Sequence, residues 1–160
     1  MTLAIGIDPG TATTGYGLVR LAQDGSLVAV KYGVFLTPKE SSAPARLEML
    51  YNQLRTLLEE YRPETAGVEK LFFSRNVTTA LAVGQARGVV MLCLQQAGIE
   101  AFEYTPNEVK QAVAGYGSAQ KKQVQEMVRA LLLLPEIPRP DDAADALAIA
   151  ITHLHTKRYA

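Results

Sequence analysis

Four acidic residues stand at places in the sequence where a charge is hard to accommodate. Asp8 and Glu69 each follow a short apolar segment, and Asp142 and Asp145 lie three residues apart in a mostly apolar run. A buried charge is costly unless it is paired or binds a metal ion. At a spacing of three, Asp142 and Asp145 would share one face of a helix. We therefore interpret the four carboxylates as a single catalytic and metal-binding site.

Such a cluster favours a hard divalent cation. Neighbouring carboxylates repel one another by roughly 3 kcal/mol per pair at an effective dielectric near ~20, which requires raised pKa values or a bound cation. Because the donors are all oxygen atoms, the site predicts Mg²⁺, or Mn²⁺, and not zinc, with one or two ions per subunit. Two ions would activate a water and stabilise the leaving oxygen when a phosphodiester is cut. An alternative stays open for Asp142, since the helix dipole also stabilises acids in the first turn of a helix.

The first part of the chain has the pattern of an antiparallel β-meander. Apolar, β-branched and aromatic residues fill Leu3 to Ile7, Thr14 to Arg20 and Leu27 to Leu36, and Asp24-Gly25 is a turn signal between the last two segments. Asp8 then follows the first strand, at the strand end where ligand sites of α/β sheets tend to lie.

The remainder alternates helix and strand. Two further strands and five helices are predicted, with proline, glycine and capping residues at their ends: strands at Thr65 to Glu69 and Ile99 to Tyr104, and helices from Pro44 to Tyr61, from Val77 to Gln96, after the capping box Thr105-Pro106-Asn107-Glu108, from a Ser118 cap to Leu134, and from an Asp141 cap to His155. The pattern indicates an α/β protein with a mixed five-stranded sheet flanked by helices, in one domain over residues 1–160. If the strands before Asp8 and Glu69 are neighbours, both acids project from one edge.

Three segments of the chain resemble the RuvC family of Holliday-junction resolvases: residues 5–10 (IGIDPG), 84–88 (GQARG) and 142–150 (DAADALAIA). The resemblance covers nearly the whole chain in the same order. It implies a ribonuclease-H-like fold and a homodimer that makes paired, Mg²⁺- or Mn²⁺-dependent nicks across a four-way DNA junction during recombination and repair. It also implies a branch-migration motor of the RuvA/RuvB type as a partner, and it places the four acidic ligands on Asp8, Glu69, Asp142 and Asp145.

Two sets of residues are candidates for DNA contact. Phe72, Phe73 and Arg75 follow closely after Glu69, where an aromatic side chain can stack on unpaired bases, although the aromatics taken alone would be core residues. The resemblance assigns a crossover contact to Phe72. Three lysines at two helix starts, Lys110, Lys121 and Lys122, are candidates for phosphate binding or simply for solvated helix faces. The resemblance favours phosphate binding by Lys110 and Lys121.

The composition excludes several classes of protein. The 160 residues are 48% hydrophobic and 20% charged with a net charge of zero, so a DNA surface has to be local. The only cysteine, Cys93, predicts a buried thiol and no disulfide within the chain. No signal peptide or bilayer-spanning stretch is recognised, and we expect a cytoplasmic protein without a membrane partner.

Two glycines and two histidines suggest how the helices pack, and two other functions remain open. Gly84 and Gly88 on the long helix allow close packing, in the interior or at a dimer seam, with the interior favoured. His153 and His155 are expected to be exposed and inert. Residues 6–11 also resemble the phosphate loop of actin-like sugar kinases, but one lobe would not enclose a nucleotide. A non-catalytic DNA-binding module would fit a chain lacking one of the four acids.

Overall fold

A mixed sheet of five strands forms the centre of the computed structural model, which describes residues 1–10, 12–70 and 77–157. The strands stand in the order β3-β2-β1-β4-β5. The first three form an antiparallel meander, and β1, β4 and β5 are parallel neighbours. The predicted mixed five-stranded sheet is therefore confirmed, with these bounds: β1 Thr2–Asp8, β2 Thr13–Leu21, β3 Leu27–Leu36, β4 Thr65–Glu69 and β5 Ala101–Tyr104.

Helices cover both faces of the sheet, and each face has its own apolar core. Successive side chains of a strand point to opposite faces, so Ile5 and Ile7 of β1 join the core on one side and Ala4 joins the core on the other. The first core is closed by α1 (Ala43–Tyr61) and α2 (Val77–Gln96). The second is closed by three helices: α3 (Pro106–Ala114), α4 (Lys121–Leu131) and α5 (Asp141–Lys157).

Helix α5 lies unusually close to the sheet. A Cβ atom built on Gly6 would come within 2.1 Å of the Ala146 carbonyl oxygen, and one built on Gly15 within 2.0 Å of the Asp142 carbonyl oxygen. The facing residues of α5 are small as well, since Ala146 and Ala150 are completely buried. Only a strand surface without side chains at these points lets the helix backbone rest on β1 and β2. The start of α5 is thereby fixed beside the end of β1.

Several helix ends differ from the sequence expectation. Helix α1 begins at Ala43 with Ser42 as its cap, one residue before the predicted Pro44. Ser118 does not cap α4, because the buried residue Ala119 still belongs to the turn that precedes the helix. Gln120 is the cap, and its backbone N–H donates a hydrogen bond to the Gln123 side chain at 2.8 Å. The helix also ends earlier than predicted, at Leu131.

The start of α5 likewise differs from the prediction that Asp141 is its cap. The Pro140 carbonyl oxygen accepts the first helical hydrogen bond, from Ala143 at 2.9 Å, so Asp141 is already the first residue of the helix. Its side chain points sideways to α4 instead, accepting a hydrogen bond from the Gln125 amide at 3.2 Å. Asp141 therefore links two helices.

The prediction that His153 is exposed was wrong. The side chain is completely buried under the sheet, where one ring nitrogen lies 2.6 Å from the Tyr104 hydroxyl and the other 2.5 Å from the Thr65 hydroxyl. Both partners sit on strands, and α5 carries the histidine, so the contacts join α5 to β4 and β5. His155 is partly buried. The sequence pattern that predicted α5 did not indicate that the last turns of this helix are buried against the sheet.

Helix α2 presents an apolar face to solvent. Val77, Leu81 and Leu92 are 68%, 65% and 53% exposed, and a Cβ atom on Gly88 would meet nothing within 4 Å. The expectation that Gly88 serves interior packing was therefore wrong, whereas Cys93 on the opposite side of α2 is buried as predicted. By length and composition α2 is the one helix of the described residues that would reach across a membrane. We define the α2 face as Val77, Leu81, Gly84, Gly88 and Leu92.

We predict that Gly6→Ala destabilises the protein by about 3 kcal/mol, because the new methyl group meets the backbone of α5 and the helix has to move away from the sheet. Denaturant unfolding would measure the change. Gly117→Ala is the matched control, since its nearest contact at 3.9 Å is ordinary van der Waals distance. Equal stabilities of the two variants would show that the close approach of α5 is not required.

Candidate metal centre and its basic surroundings

Two of the four acids meet at the carboxyl ends of neighbouring strands. Strands β1 and β4 are parallel with Ile7 opposite Val68, so the next residues, Asp8 and Glu69, stand side by side. A hydrogen bond joins their side chains. The sequence expectation that both acids project from one edge of the sheet is confirmed.

The other two acids reach the same edge from α5. Carboxylate oxygens of Asp8, Asp142 and Asp145 all lie within 4.8 Å of one another. The contact of Gly15 with the Asp142 backbone sets this distance, because it holds the first turn of α5 against β2. The structure thus brings all four predicted acids together, three in one cluster and Glu69 through its bond to Asp8.

The acids shift one another's protonation. Burial of the Asp8 side chain and its hydrogen bond with Glu69 raise the pKa of Asp8 to about 10, and the charges of the surrounding acids add to the effect. Burial raises the pKa of Asp145 to about 6, against the opposing charge of Lys121. The pKa of Asp142 is raised as well, again chiefly by burial. Without a cation, Asp8 therefore stays protonated at neutral pH. Its carboxyl group donates a hydrogen bond to the Glu69 side chain.

The donor set fits a hard divalent metal ion. Within the described ranges the cluster offers only carboxylate oxygens, the ligands preferred by cations of the Mg²⁺ and Ca²⁺ type. A cation among them would offset the charge repulsion that otherwise holds the proton on Asp8. The residues present are therefore suited to bind a metal ion, and Asp8, Glu69, Asp142 and Asp145 are the side chains that would hold it.

Lys121 lies beside the acids. Its ammonium group is 3.3 Å from Asp141 and 3.9 Å from Asp145. Partial burial lowers the pKa of Lys121, but the charges of the nearby aspartates outweigh burial and leave it raised. Lys121 therefore stays charged and partly neutralises the negative charge of the acid cluster.

Two grooves share Lys121 in their linings. One of about 260 Å³ is lined by Glu69, Asp145 and Lys110 together with Lys121. The other, wider groove of about 970 Å³ is lined at its charged positions by Lys121, Lys122, Arg139, Asp141 and Asp142. The three lysines expected to contact DNA thus all lie along the acid cluster.

Sequence reasoning missed two cations near the site. Arg139 lines the wider groove, and the only signal for it was a cation three residues before Asp142. Arg87 was quoted only as part of a motif, yet its guanidinium lies 2.6 Å from the Glu103 carboxylate, and its Nε lies 3.5 Å from the Glu69 carbonyl oxygen. A charge within an apolar helix, the signal that identified Asp145, would have found Arg87 as well.

The remaining DNA-contact candidates of the sequence analysis, Phe72, Phe73 and Arg75, lie outside the described residues.

Comparison with known proteins gives one consistent result. The family model described as Crossover junction endodeoxyribonuclease RuvC matches residues 4–153. Crossover junction endodeoxyribonuclease RuvC of Roseiflexus sp. (strain RS-1) is 60% identical over 154 residues, which are 96% of this chain and 91% of that protein. The protein of the same description from Syntrophomonas wolfei is 54% identical over 154 residues, covering 96% and 89% of the two chains.

Solved structures agree. The Thermus thermophilus RuvC structure matches with a TM-score of 0.92 at 38% identity, over 99% of this chain and 96% of that one. T. thermophilus RuvC in complex with Holliday junction substrate matches with a TM-score of 0.91 at 35% identity and the same coverage. The yeast mitochondrial Holliday junction resolvase Ydc2, at 14% identity and a TM-score of 0.70, shares the fold. The expected ribonuclease-H-like architecture is confirmed.

We predict that Asp8→Asn stabilises the metal-free protein at pH 8 by several kcal/mol. Because the pKa of Asp8 is raised on folding, the folded state binds more protons than the unfolded state between pH ~4 and ~10, and wild-type stability falls as pH rises through that window. Asparagine carries no charge to desolvate, and the slope flattens. Denaturant unfolding in EDTA from pH 5 to pH 9 would measure both quantities.

The control for this prediction is Asp24→Asn. Asp24 is exposed, and hydrogen bonds from Ser26 lower its pKa, so its replacement gives no gain at pH 8. The reading of the acid cluster would be contradicted if Asp8→Asn were no more stable than wild type in EDTA at pH 8.

Proposed function

Because the chain belongs to the RuvC family of crossover junction endodeoxyribonucleases, we propose that it resolves Holliday junctions with a metal centre formed by Asp8, Glu69, Asp142 and Asp145. The chain is a nuclease that acts on DNA in recombination and repair. The observation that carries the assignment of its site is the convergence of these acids, from two strand ends and one helix start, within a few ångströms.

Each acid has a distinct place in the proposed centre. Asp8, which is largely buried, would hold the cation in its ionised form, because a cation would take the place of the proton in offsetting the neighbouring charges. Glu69 accepts from Asp8 in the metal-free state and becomes free to coordinate. Asp142 and Asp145 close the site from the α5 side.

The metal is proposed to be Mg²⁺, with Mn²⁺ as a substitute, at one or two ions per subunit, because every donor is a carboxylate oxygen. When bound, such an ion supplies Lewis-acid activation of water and charge stabilisation for the departing 3′ or 5′ oxygen. The protein's own contribution is to fix the ligands: β1 and β4 hold Asp8 and Glu69, and α5 holds the aspartates.

Lys121 is proposed to change partners when DNA enters. Its ammonium group lies against Asp141 and Asp145 and remains charged. With a cation held by the acids, a phosphate oxygen beside the site would be the stronger partner for this lysine. Lys110 and Lys122 flank it in the two grooves and are proposed as further phosphate contacts. Phe72 is proposed to engage the branch point on the family resemblance, and Phe73 and Arg75 are proposed as DNA contacts because they follow closely after Glu69 in the sequence.

A junction with two equivalent strands to cut requires two equivalent sites, and we propose that the chain acts as a homodimer through the α2 face. A monomer in water gains nothing by exposing this apolar stripe. Gly88, where a Cβ atom would meet nothing within 4 Å, leaves room for the helix of a second copy to approach closely. A RuvA/RuvB type branch-migration motor is proposed as partner from family membership, and the protein is proposed to work in the cytoplasm as one domain.

The cleavage reaction tests the proposed function directly. A labelled four-way junction should receive paired, symmetric nicks in Mg²⁺, and neither a matching linear duplex nor the junction in EDTA should be cut. Asp8→Asn and Asp145→Asn should lower the nicking rate more than about 100-fold, because each removes a negatively charged ligand. Both variants should keep junction binding in EDTA, which shows that they fold.

Asp24→Asn serves as the matched control and should nick at the wild-type rate, since Asp24 lies in the β2–β3 turn away from the cluster. Wild-type rates for Asp8→Asn would refute the assigned metal centre. Equal cutting of junction and duplex would refute junction selectivity.

The dimer predicts that Leu81→Glu weakens self-association about 100-fold, because a two-fold interface would bury the new carboxylate in both copies without a partner. Sedimentation velocity over a concentration series would measure the dissociation constant. Leu133→Glu is the control, because Leu133 is 87% exposed next to α4 on the other side of the sheet. An unchanged dissociation constant for Leu81→Glu would exclude the α2 face as the dimer seam.

A further inference from the structure

The two grooves beside the acid cluster share Lys121 in their linings. The narrower groove also contains Glu69, Asp145 and Lys110. The wider groove also contains Asp142, Lys122 and Arg139. Each groove thus includes acids of the proposed metal centre, and a strand that ran from one groove to the other past Lys121 would pass these acids.

The wider groove carries cations that the acid cluster does not use. Across the part of the chain that the structure describes, no carboxylate lies within ion-pair distance of Lys122 or Arg139. Asp141, the exposed acid of this groove, is already engaged by Lys121 at 3.3 Å and by the Gln125 amide at 3.2 Å. The charge that remains available on this side of the site is positive.

Arg139 lies in the wider groove beside two aspartates, where a positive charge would offset their repulsion of a phosphate. It precedes Asp142 by three residues, at the entrance to α5, and its side chain is exposed. Asp141 and Asp142 line the same groove, and their charges would repel the phosphate that neighbours the scissile one. A guanidinium group forms paired hydrogen bonds with phosphate oxygens and keeps its charge at any working pH.

We propose that Arg139, supported by Lys122, binds the backbone phosphate next to the scissile phosphate on the side of the metal centre opposite Lys110. The cleaved strand then crosses the acids from the Lys110 groove to the Arg139 groove, with Lys121 at the crossing point. This inference rests on the proposed function, and it adds a binding residue and the path of the strand. The contact is to phosphate and carries no base preference.

The salt dependence of binding isolates this contact. Junction affinity of wild type, Arg139→Gln and Arg55→Gln would be measured in EDTA, which prevents cutting, between 50 and 300 mM NaCl. Loss of one phosphate contact lowers the slope of log affinity against log salt by about 0.9. Arg139→Gln should show this decrease with an affinity loss of about five- to tenfold at the lowest salt. Arg55→Gln removes the same charge from α1, on the opposite face of the sheet, and should keep the wild-type slope.

Neutral phosphates then locate the contact. Methylphosphonate would be placed one nucleotide to the 5′ or the 3′ side of the scissile phosphate. On one of these sides the methylphosphonate should weaken junction binding by wild type but should not weaken binding by Arg139→Gln any further. On the other side the same loss of effect should appear with Lys110→Gln. Arg139 is exposed, so the variant should retain the wild-type unfolding midpoint.

An unchanged salt slope for Arg139→Gln, or methylphosphonate losses that add to the Arg139→Gln loss on both sides, would overturn the inference. Paired nicking by wild type in the same preparations separates this result from the proposed function. If wild type nicks the junction and Arg139→Gln keeps its slope, only the strand path is wrong. If wild type neither binds nor nicks the junction, the proposed function fails, and the strand path fails with it.

Discussion

The close contact of α5 with the first two strands determines the arrangement of everything around the site. Gly6 and Gly15 leave no side chain between the sheet and the helix, and the alanines of α5 meet them with small side chains of their own. Because the contact is made by backbone, it has little freedom to slide. Asp142 and Asp145 are therefore delivered to the end of β1 at a distance that a layer of larger side chains would make too long. Helix packing, and not a flexible loop, sets the geometry of the acids.

This arrangement costs stability in the absence of a cation. A carboxyl group whose pKa is raised to about 10 is being held in its neutral form by its surroundings. The protein compensates in part with Lys121, whose ammonium group lies 3.9 Å from Asp145, and in part through the proton on Asp8, which is hydrogen-bonded to Glu69. The same repulsion would favour binding of a divalent cation, since a cation among the carboxylates would offset it. Weak stability at the site and affinity for the metal thus have one electrostatic cause.

The acid cluster and the apolar α2 face lie on opposite sides of the sheet. The acids, the lysines and both grooves are carried by strand ends and by the α3–α5 layer, whereas the α2 face lies on the other layer. Arg87 connects the two layers, because it extends from α2 to Glu103 of β5 and approaches the main chain at Glu69. The sheet between the layers fixes the distance between the acid cluster and the α2 face. In the proposed dimer, two metal centres would then be held at a constant separation.

The candidate acids and the order of the elements could be predicted from the amino-acid sequence. Asp8, Glu69 and Asp145 were recognisable because a charge beside or within an apolar segment needs a local explanation, and the strands and helices followed from periodicity and turn residues. Contacts between distant segments could not be predicted in this way. They include the burial of His153 between α5, β4 and β5, the open surroundings of Gly88, the pairing of Arg87 with Glu103, and the place of Arg139 in the groove. Local patterns specify which face of an element is apolar. Which neighbour covers that face is settled only when the layers pack, because burial and charge pairing belong to the assembled fold and to no single segment.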